Sequence, residues 1–115
     1  MREIDTDQAA RAIAAGAVVV DVREAREYAA GHVPGAVNIP MGRLTARLDE
    51  LDRNAPVHVI CASGNRSAAM TDVLTAQGFD AVNVAGGTAA WIESGRSVVR
   101  GASLTSRIAG TGATR

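Results

Sequence analysis

One stretch of this chain gathers residues that can do chemistry together. In VICASGNRSAAM, residues 59–70, Cys61 is followed by Gly64, Arg66 and Ser67. A thiolate is a strong nucleophile, and its pKa falls near cations and helix N-termini. Here an apolar run ends at Cys61 and a helical pattern begins a few residues on. That places the sulfur beyond the carboxyl end of a strand, facing the unpaired amides and positive dipole end of the next helix. Gly64 permits positive φ, so that successive amides turn inward as an anion nest. Ala62 and Ser63 are small and leave the entrance open, Asn65 completes the turn, and Ser67 suits a helix N-cap. Arg66 either forks onto a bound oxyanion or turns away to pair with Asp21 or Glu27. The candidate site is therefore Cys61 as nucleophile, with Ala62, Ser63, Gly64, Asn65, Arg66 and Ser67 holding an anionic substrate. The competing reading is structural, because a lone cysteine at a strand end is often a small buried hydrophobe.

Cys61 is the only cysteine, which excludes an internal disulfide, a CxxC redox pair and a multi-cysteine zinc site. Any second thiol comes from another molecule. His58 lies three residues before Cys61, and strand side chains alternate faces, so His58 shares the Ile60 side and not the Cys61 side. His32, in the turn-rich GHVPG, is expected to order that turn. Metal binding by two distant histidines is a weak idea. Gly86 and Gly87 permit a close turn into a helix, and no G-x-G-x-x-G fingerprint is present. Trp91 reads as a large core anchor.

These residues need elements to position them. REI at residues 2–4 predicts a short strand, and DTDQAARAIAAG a helix capped by Asp5 or Thr6 and ended by Gly16. AVVVDV, residues 17–22, is β-branched without alternation, as in a strand buried on both faces of a parallel sheet. REAREYAAG predicts a short helix stopped by Gly31, and VPGAVNIP a turn with a short edge strand. In GRLTARLDELD, Leu44, Leu48 and Leu51 fall on one helical face. PVHVIC is the next strand. RSAAMTDVLTAQG is a helix with Ala69, Val73 and Leu74 inward, ended by Gly78. DAVNV is a last strand, and GGTAAWIESG a last helix. The alternation gives an α/β domain with a mostly parallel sheet.

The 115 residues fit one domain, and 47% hydrophobic content supplies a core. Twelve basic residues, all arginine, balance twelve acidic ones, which argues against a general nucleic-acid binder. The amino-terminal residues lack an apolar signal region, and no apolar stretch approaches the ~20 residues of a bilayer span. No membrane contact and a cytoplasmic, reducing compartment are the expectation. Residues 101–115, rich in Gly, Ser, Thr and Ala, are expected to form a flexible or loosely docked tail.

Three segments resemble the rhodanese-like sulfurtransferases. VVVDVREAREYAAGHVPGAVNIP, residues 18–40, is similar to the family's first signature. VICASGNRSAAM carries its Cys-x-x-Gly-x-Arg-Ser loop, and GFDAVNVAGGTAAW, residues 78–91, resembles its closing segment. Together they cover most of residues 3–100. The resemblance implies one rhodanese-like domain over residues 1–100, with a central, mostly parallel five-stranded sheet flanked by helices on both faces. It implies that Cys61 takes a sulfane sulfur from thiosulfate or a similar small donor, holds it as a persulfide, and passes it to cyanide, a thiol or a protein sulfur acceptor. No metal or organic cofactor is implied. Asp21 and Arg23 would support the loop through polar contacts. In this family a six-residue loop goes with sulfur transfer and a seven-residue loop with phosphatase or arsenate reductase activity, since a tetrahedral oxyanion needs a wider ring of amides. Cys61 to Arg66 spans six residues. The two-domain thiosulfate enzymes carry basic residues directly after the cysteine, where Ala62 and Ser63 stand here, so the donor is left open. The alternatives are a non-catalytic binding or regulatory module, and a phosphatase or arsenate reductase.

Overall fold

A computed structural model describes residues 1–102. Its five strands are β1 (Arg2–Ile4), β2 (Val18–Asp21), β3 (Val37–Asn38), β4 (Val57–Ile60) and β5 (Ala81–Val84). They form one sheet in the order β1-β5-β4-β2-β3, with every pairing parallel. The β-branched runs fill the middle of the sheet, where both faces need apolar cover. β1 and β3 take the edges.

Four helices supply that cover: α1 (Thr6–Ala14), α2 (Ala25–Ala30), α3 (Asn65–Ala76) and α4 (Gly87–Glu93). On one face Ala9 of α1, Tyr28 of α2 and Trp91 of α4 pack with Val19, Ile60 and Val84. On the other, Leu74 of α3 and Leu44 pack with Val20, Val59 and Cys61. The predicted α/β architecture with helices on both faces is therefore the one observed. Asp5 caps α1 by accepting from the Gln8 N–H at 2.8 Å, and the Gln8 side chain accepts from the Asp5 N–H in return, a capping box.

Two local expectations are corrected. Residues 41–51 form not a single helix but two short 3-10 helices, Met41–Ala46 and Leu48–Glu50. Arg47, at φ −124°, breaks the chain between them. Leu44, Leu48 and Leu51 nevertheless reach the same core, because the break re-aims the backbone without turning these side chains to water. The inward face of α3 is Ser67, Thr71 and Leu74, with Val73 half-buried and Ala69 exposed.

After α4 the chain returns across α2. The Trp91 indole N–H donates to the Ser97 carbonyl at 2.9 Å. His32 and Val99 exchange backbone hydrogen bonds of 2.9 Å, and the Gly101 N–H donates to the Ala29 carbonyl at 2.9 Å. Gly101 thus belongs to this strap. The rest of the expected tail, residues 103–115, lies outside the described residues. No helix among the described residues is long and apolar enough to cross a membrane.

Candidate active site

β4 delivers Cys61 to the carboxyl edge of the sheet, between the ends of β2 and β5. In open α/β sheets this edge is where ligands gather. Gly64 follows at φ 105°, ψ −8°, and stands as the N-cap of α3 without any side-chain cap. The left-handed turn that Gly64 allows leaves the first amides of the helix facing the sulfur. The Gly64 N–H donates to Cys61 Sγ at 3.1 Å. Burial is the largest single influence on the thiol and pushes its pKa up. The Ser67 hydroxyl and the amides of Ser67, Gly64 and Ser63 act the other way and together bring it below the ordinary cysteine value. Hydrogen bonds to the charged form favour that form.

Ser67 is not the N-cap expected from the sequence. It sits in the first turn of α3, fully buried, and its Oγ lacks a well-aligned hydrogen bond. The hydroxyl still lowers the Cys61 pKa, so it stands close enough to act on a thiolate without yet being oriented as a donor. Buried hydroxyls rarely stay unpaired, and a negative charge on or beyond Sγ is what this one fits.

The sulfur is also less open than expected, since Cys61 is only 1% exposed. The sulfur packs into the core beside Val20, Val59 and Leu74, and the first turn of α4 holds the loop backbone from the other side. The Cys61 carbonyl accepts from the Thr88 N–H at 2.8 Å and from Thr88 Oγ1 at 3.0 Å, and the Ala62 carbonyl accepts from the Ala89 N–H at 3.0 Å. Gly87, at φ 60°, comes so close that a Cβ there would lie 2.5 Å from the Cys61 oxygen and 2.7 Å from the Ala62 oxygen. These contacts draw the loop down onto the sheet edge. Ser63 and Asn65 remain exposed and Ala62 half-buried, while Gly64 is buried beside Ser67. Sequence reasoning saw the glycine pair as a close turn but not that it grips this loop.

Of the two fates left open for Arg66, the structure has the ion pair. Its guanidinium forks onto Glu27 of α2 at 2.8 and 2.9 Å. These bonds, more than any other effect, hold the Glu27 carboxyl down at about 2. The same bonds keep Arg66 more firmly protonated, and the charges of Cys61 and Asp21 reinforce this. Arg66 is thus within electrostatic reach of the sulfur while its donors are engaged elsewhere.

Asp21 and Arg23 do not brace the loop by direct hydrogen bonds. Arg23 donates through Nε and one terminal nitrogen to the Asp21 carboxylate at 2.8–3.1 Å, and that nitrogen also reaches the Gly31 carbonyl at 2.8 Å. Asn38 Nδ2 donates to both of their carbonyls, at 3.0 and 2.9 Å. The cluster fixes the corner between β2 and α2, which in turn carries Glu27. His32 orders its turn as expected, stacking on Tyr28 with ring centroids 3.6 Å apart and donating through Nδ1 to the Tyr28 carbonyl at 2.8 Å. His58 Nδ1 lies 3.3 Å from the Val18 carbonyl, which is remote from the loop. Among the described residues no three His, Cys, Asp or Glu side chains converge as a metal set.

Comparison with known proteins places this arrangement. Residues 5–94 match the family described as the rhodanese-like domain. A Bacillus subtilis protein provisionally named as the sulfur carrier protein YrkF is 42% identical over 74 residues, 64% of this chain; the chain spans only 40% of that protein. The thiosulfate sulfurtransferase GlpE of Pseudomonas entomophila is 37% identical over 91 residues, covering 78% of this chain and 84% of GlpE. The crystal structure of a rhodanese-related protein from Thermoplasma volcanium superposes with a TM-score of 0.81 at 39% identity, covering 86% of this chain and 98% of that one. The five parallel strands, the cysteine-headed loop and these likenesses agree: the chain belongs to the rhodanese-like domain family.

Proposed function

We propose that this protein is a sulfurtransferase that works through a persulfide on Cys61. The observation that carries the reading is the convergence of the Ser63, Gly64 and Ser67 amides and the Ser67 hydroxyl on one sulfur. Preorganised donors of this kind stabilise charge that develops or relocates during reaction. In the first step the Cys61 thiolate attacks the outer sulfur of thiosulfate or a similar donor. The donor's S–S bond breaks, and sulfite leaves with the electron pair. The loop then holds Cys61–S–S⁻, whose charge has moved outward by one atom toward the helix amides. In the second step a thiolate or cyanide attacks that outer sulfur and Cys61 leaves as thiolate. This is covalent catalysis in two displacements, and it needs no cofactor.

One further feature supports sulfur over phosphoryl chemistry: the loop from Cys61 to Arg66 spans only six residues. The small donor is thiosulfate, as in the name of GlpE, or another carrier of sulfane sulfur, and the acceptor is a small thiol or a protein. Intact mass measurement after incubation with thiosulfate, mercaptopyruvate and low-molecular-weight persulfides tests the reading. The expected result is a gain of one sulfur atom by the unmodified protein and none by Cys61→Ser. Failure to gain sulfur from every donor overturns it.

A further inference from the structure

A cavity of about 400 Å³ opens at the amino edge of the sheet, opposite the edge that carries Cys61. Small side chains create it. α1 ends at Ala14, and Ala15, Gly16 and Ala17 lead on into β2. Ile13 packs on the sheet beside Ala9. Past it stand Ala12 and the three small residues of the turn on one side, with Ala55 and Pro56 before β4 on the other. His58, the second residue of β4, lines the same space.

His58 is only 7% exposed, and no step at Cys61 uses it. Its Nδ1 lies 3.3 Å from the Val18 carbonyl, which can only accept, so Nδ1 carries the proton. In a neutral imidazole the other nitrogen, Nε2, is then an acceptor. Nε2 has no hydrogen-bond partner among the described residues. It is not sealed in the core either, so its lone pair opens on the cavity. Buried polar groups are seldom left unpaired, and this one fits a donor. The surrounding charges narrow the choice. The negative dipole end of α1 adjoins the cavity through Ala12 and Ala15, which disfavours an anion. Arg2 at the rim, though paired with Asp80 at 2.9 Å, disfavours a cation.

We propose that this cavity binds a small neutral molecule of the indole class, a fused two-ring apolar body with a single N–H or O–H that donates to His58 Nε2. A dry cavity of about 150 Å³ takes one benzene ring, so the volume here has room for two fused rings. It also falls in the ~300–1,000 Å³ range of small-ligand sites. The alanine and proline walls supply apolar contact, and the one fixed acceptor sets the ligand's orientation. The imidazole is held by its burial and its Nδ1 bond before the ligand arrives, so little freedom is lost on binding. The site is separate from the sulfur. His58 and Cys61 are three residues apart on one extended run, and their side chains leave opposite faces of the sheet. The inference does not depend on the sulfurtransferase reading.

Titration of the full chain with indole at pH 8, followed through amide chemical shifts, tests this. Saturable shifts are expected at Ala12, Gly16 and His58, with Gly64 and Ser67 unmoved. The probe 1-methylindole keeps both rings but has no N–H. It should bind about tenfold more weakly, since it leaves Nε2 covered and unpaired. His58→Phe keeps a ring in place without the acceptor and should bring indole down to the affinity of 1-methylindole. Ala12→Leu, a substitution that a helix accepts readily, fills the space from α1 and should abolish binding of both. Should His58→Phe fail to fold, the two ligands on the unmodified protein still decide the donor, and Ala12→Leu the place. Equal affinities for indole and 1-methylindole overturn the proposal. So do a titration without saturation, shifts centred on the Cys61 loop, and unchanged binding by Ala12→Leu. None of these results bears on whether Cys61 takes up sulfur.

Discussion

The loop around Cys61 is held from two sides in two different ways. On the side of α4 the grip is backbone on backbone: Thr88 and Ala89 bind the Cys61 and Ala62 carbonyls, and Gly87 lies against both. On the side of α2 the grip is the Arg66–Glu27 pair, whose side chains are about one-third exposed. The first is buried and tolerates no added atom. The second is an ion pair in partial contact with water, a class that contributes little to stability and weakens with salt. A loop clamped rigidly at its base and tied lightly at its rim keeps the sulfur fixed while leaving one cation near it.

Substitutions on each side sharpen this contrast. Gly87→Ala should have the largest effect. Its Cβ would meet two carbonyl oxygens of the loop backbone, and φ 60° disfavours any side chain. Strain and overpacking together cost on the order of 3 kcal/mol, to be read as a lowered denaturant midpoint along with loss of sulfur loading. Thr88→Val keeps the shape and the N–H bond but removes the Oγ1 bond, at a cost of about 1 kcal/mol in the same measurement. If Thr88→Val matched Gly87→Ala, the grip would lie in the hydroxyl rather than in the close backbone approach.

Glu27→Gln should change stability by less than about 1 kcal/mol. It should also remove an acid-dependent contribution. Because Arg66 holds Glu27 near 2, below the 4.5 of a free glutamate, the pair's stabilisation is present above pH 4.5 and fades as pH falls toward 2. Denaturant unfolding across that window should be flatter in the variant. Equal slopes would mean that the pair gives nothing to the folded state.

Ser67→Ala is the smallest perturbation of stability, because the hydroxyl it removes is buried without a well-aligned bond, and deleting such a group is close to neutral. Reactivity should change instead. With one donor to the thiolate gone, the pH midpoint for Cys61 alkylation by a small reagent should rise. An unmoved midpoint would leave the amides alone responsible for the depressed pKa.

What the sequence disclosed follows from the range of each interaction. β2, β4 and β5 were legible because strands covered on both faces need unbroken apolar runs, and Cys61, Gly64 and Arg66 because few other residue types could serve that turn. The choice between substrate and Glu27 for Arg66 was open, since it depends on a side chain 39 residues away. The grip of Gly87 and Thr88 was not legible at all. It joins two turns 27 residues apart through carbonyl groups that every residue carries. Apolar periodicity misled in two places. It joined Leu44, Leu48 and Leu51 into one helix, and it missed the buried face of α3, where Ser67 and Thr71 lie inward because the sulfur and the helix carbonyls beneath them give their hydroxyls something to face.

The strap of residues 97–101 lies beyond the family match, which ends at residue 94, yet it is laced to α2 at Ala29 and to the turn just after it at His32. The position of α2, and with it Glu27, is secured from the far end of the described chain. Clipping the protein after Gly95 should therefore leave the sheet intact while loosening α2, visible as faster amide exchange at Ala29 and His32 with β4 and β5 unchanged.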